Sequence, residues 1–435
     1  MIRIARVVFS AMLLLLVGCT AIPNLPTANT ATPTVTILVP PTALPTATQS
    51  PVTPIAVVAK GSPENPFRIR IIQSDLNSST ILKEIIEEAA QQMGIALLVD
   101  VHSADGAYAL AQMQDTAVSV DAWIGTDYDV AQLDQYNAIA PGNAAATPQM
   151  FPFVAESIAT HPQLAVYPLA AKNYLIGISN AELLPELPES TASLMTIDRR
   201  TLGRTRYDMA FAWAEGRWFD ALVTLLDPAA TIPAPTQPPN PEALQQALTS
   251  LTELRTLGPR EATSYQEAVT DFVNWRVQFT LDGDAAIRRY EQYSQTLSLA
   301  YAPAPLYSIT ETPLSPPIDV VSIILAPSAD VPSSAQLSEF ITFLQSNTVQ
   351  AALITRLHWV PLTPHVFSQI DITNNPANTV VQSIAPTLRA QSYSAATLCR
   401  WDAYEAVLPF VLLREQSVAA GEAAMSNAIQ ACLQP

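Results

Sequence analysis

Lysine is nearly absent: Lys60, Lys83 and Lys172 are the only three in 435 residues. Twenty-one basic side chains face 38 acidic ones, for a formal charge of −17. Nucleic-acid binding needs clustered Lys and Arg to release phosphate counterions, so this balance argues against a nucleic-acid partner. Histidine and cysteine are also scarce, at four and three residues. His102, His161, His358 and His365 are scattered without ligand spacing, and no metal or cofactor is expected. Long apolar runs are missing too: beyond the first 18 residues none is long enough to span a bilayer.

What is present begins with a leader. Arg3 and Arg6 precede an apolar run, Val7 to Val17, of about 11 residues, which suits a signal-peptide core better than a membrane span. Leu16-Val17-Gly18-Cys19 follows and resembles the bacterial lipobox, in which the cysteine is lipidated and becomes the mature N-terminus. Residues 20–62 hold eight prolines, ten threonines and one charge, Lys60. Such a chain is extended and packs no core. The expected organisation is therefore a leader (1–18), a lipidated Cys19 with its linker (19–62), and a body from 63 to 435.

With Cys19 used for lipid, Cys399 and Cys432 remain. Residues 400–414 and 419–432 read as two helices. Folded as an antiparallel hairpin they bring 399 opposite 432–433, so a disulfide is the expectation and two buried thiols the alternative.

The body alternates strands and helices. Arg68-Ile69-Arg70-Ile71 has the period of a strand. Ile81, Leu82, Ile85, Ile86, Ala89 and Met93 then share one helical face, with Asn77-Ser78-Ser79 as candidate caps and Gly94 as the stop. Ile95 to Val101 is a second strand, giving a βαβ unit with parallel strands. A helical stretch at 105–115 leads to a third strand within Val118 to Gly125, and Asp127 opens another helix. Later elements are an amphipathic helix over 242–257, a buried strand from Ile318 to Leu325, and two short helices at 334–345 and 348–357. Six prolines in 228–241 mark a loop. Recurrent strand–helix crossovers predict an α/β class.

Catalytic motifs are missing. Gly177-Ile-Ser179-Asn-Ala181 lacks the second glycine of a nucleophile elbow. No HExxH, P-loop or GxGxxG occurs. Asp127-Tyr-Asp129 and Asp282-Gly-Asp284 are fragments of a calcium loop, but position 138, where the first would need its Glu, is Ala. Acids are plentiful, yet nothing singles out a glycosidase pair.

The order of elements resembles the extracellular solute-binding proteins of ABC importers, in particular the maltose-binding-like family. The likeness runs from about residue 66 to the end. It rests on Val120-Asp-Ala-Trp-Ile-Gly-Thr-Asp127, Leu133 to Pro141, Leu164 to Lys172 with Ile178-Ser-Asn180, and Leu183 to Pro188. Tyr265-Gln-Glu-Ala-Val with Phe279-Thr-Leu-Asp-Gly283, Glu339 to Leu344 with Val349 to Leu353, and Leu357-His-Trp-Val-Pro361 complete it. The resemblance implies an α/β fold of two lobes, hinge crossings and a ligand cleft. Lobe one would comprise about 66–158 and 315–356, and lobe two about 159–314 and 357–435.

It further implies a non-enzymatic, monomeric receptor. That receptor would be lipid-anchored at the outer face of a bacterial cell membrane and would pass a small solute to a permease. A carbohydrate is the first expectation. An acidic metabolite, an amino acid or a polyamine on the same fold, a sensor role, and a secreted hydrolase are the alternatives. The implied ligand-binding residues are Gln73, Asp75, Asp127, Tyr128, Lys172, Tyr174, Asp282, Asp284 and Trp401. Ala285 and Ala286 stand where the family often has tryptophan, which argues against a long oligosaccharide.

Overall fold

The computed structural model describes residues 60–72, 75–102, 120–185, 187, 190, 209–211, 214–226, 239–257, 264–293, 298–303, 306–307, 312–313, 317–327, 335–372, 375–391 and 393–433. The leader, Cys19, most of the linker, Gln73, the 105–115 helix and most of the 228–241 loop lie outside them.

Strand β1 (Phe67–Ile72) is followed by helix α1 (Leu76–Met93) and β2 (Leu97–His102), and β1 pairs with β2 in parallel, as the βαβ reading requires. The α1 cap is Asp75, not the Asn77–Ser79 run. Its carboxylate accepts from the backbone N–H of Asn77 at 3.1 Å and of Ser78 at 3.3 Å, so the helix starts earlier. Gly94 ends it with φ at 67°, a left-handed conformation that glycine adopts without a Cβ penalty. Leu82, Ile85, Ile86 and Ala89 are buried, which is the apolar face expected from their spacing. Each fully buried Leu or Ile here contributes about 1.5–3 kcal/mol.

The first sheet has the order β2-β1-β3-β11-β4. Its remaining members are β3 (Ala122–Thr126), β4 (Val166–Lys172) and β11 (Asp319–Leu325). The late strand β11 lies antiparallel between β3 and β4. All seven of its residues are buried, which explains a near-continuous apolar run. Helices α2 (Asp127–Gln135) and α3 (Pro152–Thr160) lie between β3 and β4 in the chain.

The second sheet has the order β6-β7-β5-β8. It comprises β5 (Ile176–Asn180), β6 (Met209–Ala210), β7 (Phe279–Asp282) and β8 (Leu299–Pro303). Around it run α4 (Gly216–Leu226), α5 (Pro241–Leu254), α6 (Tyr265–Val273) and α7 (Asp284–Glu291). A separate ribbon, β9 (Leu306–Tyr307) with β10 (Thr312–Pro313), precedes β11. Helices α8 (Ala335–Leu344) and α9 (Asn347–Leu357) return to the first sheet. Helix α10 (Pro376–Ile384) packs on β8, α11 (Ala395–Leu412) on α4, and α12 (Val418–Leu433) on α5, so the C-terminal part covers the second lobe. Cys399 and Cys432 are joined by a disulfide across α11 and α12, with Cα atoms 5.8 Å apart.

The chain crosses between lobes after β4, between β8 and β11, and after α9. Because β4 belongs to the first sheet, the first crossing falls at 173–175, later than the boundary expected near 159. Ala171 and Val360 exchange backbone hydrogen bonds of 2.9 and 2.8 Å, which ties the third crossing to the first.

Candidate functional site

The crossing turns on Asn173, a non-glycine residue with φ at 62°. Its backbone N–H donates to Asp284 Oδ1 at 2.6 Å, and its side-chain amide donates to Asp319. Asp319 opens β11 and also accepts from Tyr393 O–H and, at 3.0 Å, from Arg217 Nη1. Arg217 Nη2 donates to the carbonyls of Asn173 (3.3 Å) and Pro317 (2.5 Å). Burial alone would raise the Asp319 pKa. The nearby Arg217 and Lys172 charges and the bonds from Tyr393 and Asn173 outweigh it and hold the carboxyl below the usual range. One carboxylate thus gathers three chain segments at the hinge.

Beside this junction is a cavity of about 550 Å³ between the lobes. The first lobe contributes Asp75, Leu76 and Ser78 from the start of α1, and Lys172 with Asn173 line the crossing. The second lobe contributes Glu215, Arg217 and Trp218 around the start of α4, Tyr265 from α6, and Leu281 to Ala285 with Arg289 from the β7–α7 corner. Arg288 of α7 reaches Asp75 of α1 at 3.3 Å and also bonds Ser78, so a charged contact links the lobes beside the cavity. A smaller cavity of about 230 Å³ lies against α3, β4 and α8 in the first lobe and joins no second-lobe element.

The β7–α7 corner depends on Gly283. A Cβ there would sit 2.6 Å from the carbonyl oxygen of Tyr174, so only glycine allows the crossing and the corner to approach this closely. Asp282 accepts from Gly283 N–H at 2.8 Å and from Tyr290 O–H at 3.0 Å. Burial, with the Glu215 charge adding to it, lifts its pKa to about 7. Asp284 is likewise raised by burial, and so is Glu215, which also faces Glu405. For Asp75 burial is outweighed by the bonds from Ser78 and Asn77 and by the Arg288 charge, and its pKa lies below the usual value.

Of the residues named from sequence, Asp75, Lys172, Asp282 and Asp284 come together in the cavity wall. Four others stand elsewhere. Asp127 is buried behind the wall, where it accepts from Ser157 Oγ at 2.9 Å and Val320 N–H at 3.3 Å. Burial, reinforced by Asp319 and Asp129, raises it to about 8. Tyr128 is half-buried and meets the ring of Tyr393 edge-on at 5.3 Å. Tyr174 is fully buried, and its hydroxyl donates to the carbonyl of His358 at 2.8 Å. Trp401 is half-buried and donates its Nε1–H to Asp220 at 3.2 Å, while Arg400 grips the same carboxylate at 2.9 and 3.0 Å. Trp401 therefore braces α4 rather than entering the cavity.

Sequence reasoning missed Ser78, Asn173, Glu215, Arg217, Trp218, Tyr265 and Arg289. Tyr265 opens α6 behind a capping box of Ser264 and Glu267, a pattern visible in the sequence. Gly216 is the signal for α4, because a Cβ there would lie 2.7 Å from the carbonyl oxygen of Trp401. The two aromatics both carry a cation on one face: Arg217 lies 5.5 Å from the Trp218 ring centre and Arg289 lies 5.4 Å from that of Tyr265.

The structure is similar to the crystal structure of a cyclo/maltodextrin-binding protein complexed with maltotetraose. The TM-score is 0.69 at 15% sequence identity, over 85% of this chain and 98% of that one. No protein-family model matches the sequence. No curated protein matches it either. The likeness establishes the two-lobed α/β fold with its hinge crossings and interlobe cleft. Within that architecture the 550 Å³ cavity occupies the cleft.

Proposed function

We propose that this chain is a solute-binding receptor that captures a small polar solute, first of all a carbohydrate, between its lobes. The observation that carries this reading is the cavity wall itself. Both lobes and the crossing contribute hydrogen-bonding side chains to it, and Trp218 and Tyr265 add aromatic surface. Rotation at the crossings opens and closes such a cleft, and closure removes water so that each polar contact strengthens. No bond is broken in this mechanism, and release follows reopening. The lipobox and the Pro/Thr-rich stalk support an anchored position at the outer face of a bacterial membrane, where a permease of an ABC importer receives the solute.

A thermal-shift screen of the intact chain tests the reading, with mono- and oligosaccharides, sugar acids, amino acids and polyamines as the panel. A ligand at about 100 times its dissociation constant adds about 2.7 kcal/mol to stability. Stabilisation by one sugar class, recovered unchanged, is the expected result. A sugar recovered cleaved, or no response to any compound, contradicts it. Anchoring is tested separately: Cys19→Ala should release the chain from membranes and abolish labelling by a fatty-acid analogue.

A further inference from the structure

The cations around the cleft fall into two kinds. Arg217 is committed to Asp319 and to two backbone carbonyls, and Arg288 to Asp75 and Ser78. Lys172 and Arg289 instead face aromatic rings, those of Trp359 at 6.0 Å and Tyr265 at 5.4 Å. Among the described residues neither has a carboxylate oxygen within 4.0 Å, although both line the cavity.

Lys172 is only 9% exposed. Its charge acts on three acids, and all three are tied to other donors. Asp129 accepts from Thr126 N–H and Oγ1–H at 2.7 and 2.8 Å, Asp284 from Asn173 N–H, and Asp319 from Asn173, Arg217 and Tyr393. Arg289 stacks over Tyr265, and the nearby Asp282 already accepts from Gly283 and Tyr290. The Lys172 ammonium lies 6.0 Å from the Trp359 ring centre and within the field of these acids, but a hydrogen-bonded counterion for it can enter from the cavity that it lines.

We infer that the solute of this cleft bears a carboxylate, held by Lys172 and Arg289: an acidic sugar rather than a neutral one. The inference rests on the receptor reading above. A hydroxyl offers Lys172 a dipole, whereas a carboxylate offers an acceptor that also carries the opposite charge. The wall also argues for one negative charge rather than two. Glu215, Asp282 and Asp284 stand beside the two cations, and a phosphate dianion would face their repulsion. Burial lifts Asp282 to about 7, which lessens its opposition to a monoanion at neutral pH. The chain's overall charge of −17 acts mainly on the approach of the solute. Exposed charges farther away than about 8 Å are largely screened at physiological salt.

Isothermal titration of the intact chain with matched compounds tests this: glucuronate and galacturonate, glucose and galactose, glucosamine, glucose 6-phosphate and succinate. A uronate should bind at least tenfold more tightly than its neutral partner. Lys172→Met and Arg289→Gln should each erase most of that ratio, weakening uronate binding at least tenfold more than neutral-sugar binding. Neutral sugar binding as tightly as uronate, or glucosamine or the phosphate binding more tightly, overturns the inference and leaves the receptor reading standing. Binding of succinate without any sugar keeps the charge assignment and overturns the carbohydrate. Silence from every compound overturns both.

Discussion

Two neighbouring groups of charges, the Asp319 junction and the cleft wall, are built in opposite ways. At the junction, Asp319 is 4% exposed and accepts from three partners on three segments. In the wall, Lys172 is about as deeply placed and, among the described residues, has no carboxylate oxygen within 4.0 Å. A buried charge whose partners are all in the chain serves the fold. A buried charge that faces a cavity with donors unspent serves whatever enters it. Burial alone does not separate the two; the partner inventory does.

The contrast is broken most forcefully at the junction. Arg217→Met leaves Asp319 buried without its guanidinium and should cost about 3–5 kcal/mol in denaturant unfolding. A loss below about 1 kcal/mol would put Arg217 with the solute-facing cations instead. Cys399→Ser with Cys432→Ser removes a cross-link 33 residues apart in sequence, and about 2–4 kcal/mol should go with it.

Asp127 sharpens the comparison through pH. In the unfolded chain it ionises near 3.9, and in the fold near 8 because burial disfavours the anion. Between those values the native state holds a proton that the unfolded state has lost. Its contribution to stability therefore falls as pH climbs from about 4 to 8, by up to about 1.4 kcal/mol per pH unit, and levels off above. Asp127→Asn should flatten that decline, and an unchanged pH–stability curve would show that Asp127 does not carry it. The smallest effect on stability is expected at the wall. Lys172→Met removes a charge that acts on Asp319 at a distance and has no carboxylate oxygen within 4.0 Å among the described residues, so unfolding should change far less than for Arg217→Met, by less than about 1 kcal/mol.

Much of the fold was legible because periodicity reports burial. The α1 face, the parallel β1–β2 pair and the apolar β11 all follow from spacing. The C-terminal disulfide followed from two helix lengths. Only part of the site was legible. Asp75, Lys172, Asp282 and Asp284 sit at the ends of strands or at the helix start just beyond them, where side chains in an open α/β sheet meet ligands. For Tyr128 after the third strand, Tyr174 at the first crossing and Trp401 at the start of the last helical hairpin, the family resemblance gives a position, but position does not say which way a ring points. At Tyr174 the preceding positive φ of Asn173 breaks the alternation that strand reasoning relies on. Arg217 and Trp218 reach the cleft because α4 packs closely on α11 through Gly216, a contact nearly 190 residues long-range that no local pattern reveals. Arg289 was hidden for a related reason: its place over Tyr265, facing the cavity, is a property of the packed molecule.

Melting curves of the parent chain, Arg217→Met and Lys172→Met, each with and without glucuronate, test the division between fold charges and solute charges most directly. Arg217→Met should melt well below the parent without ligand. Lys172→Met should melt with the parent and lose the glucuronate shift. If Lys172→Met melts as low as Arg217→Met yet keeps its full response to glucuronate, the wall lysine belongs to the fold and does not hold the solute.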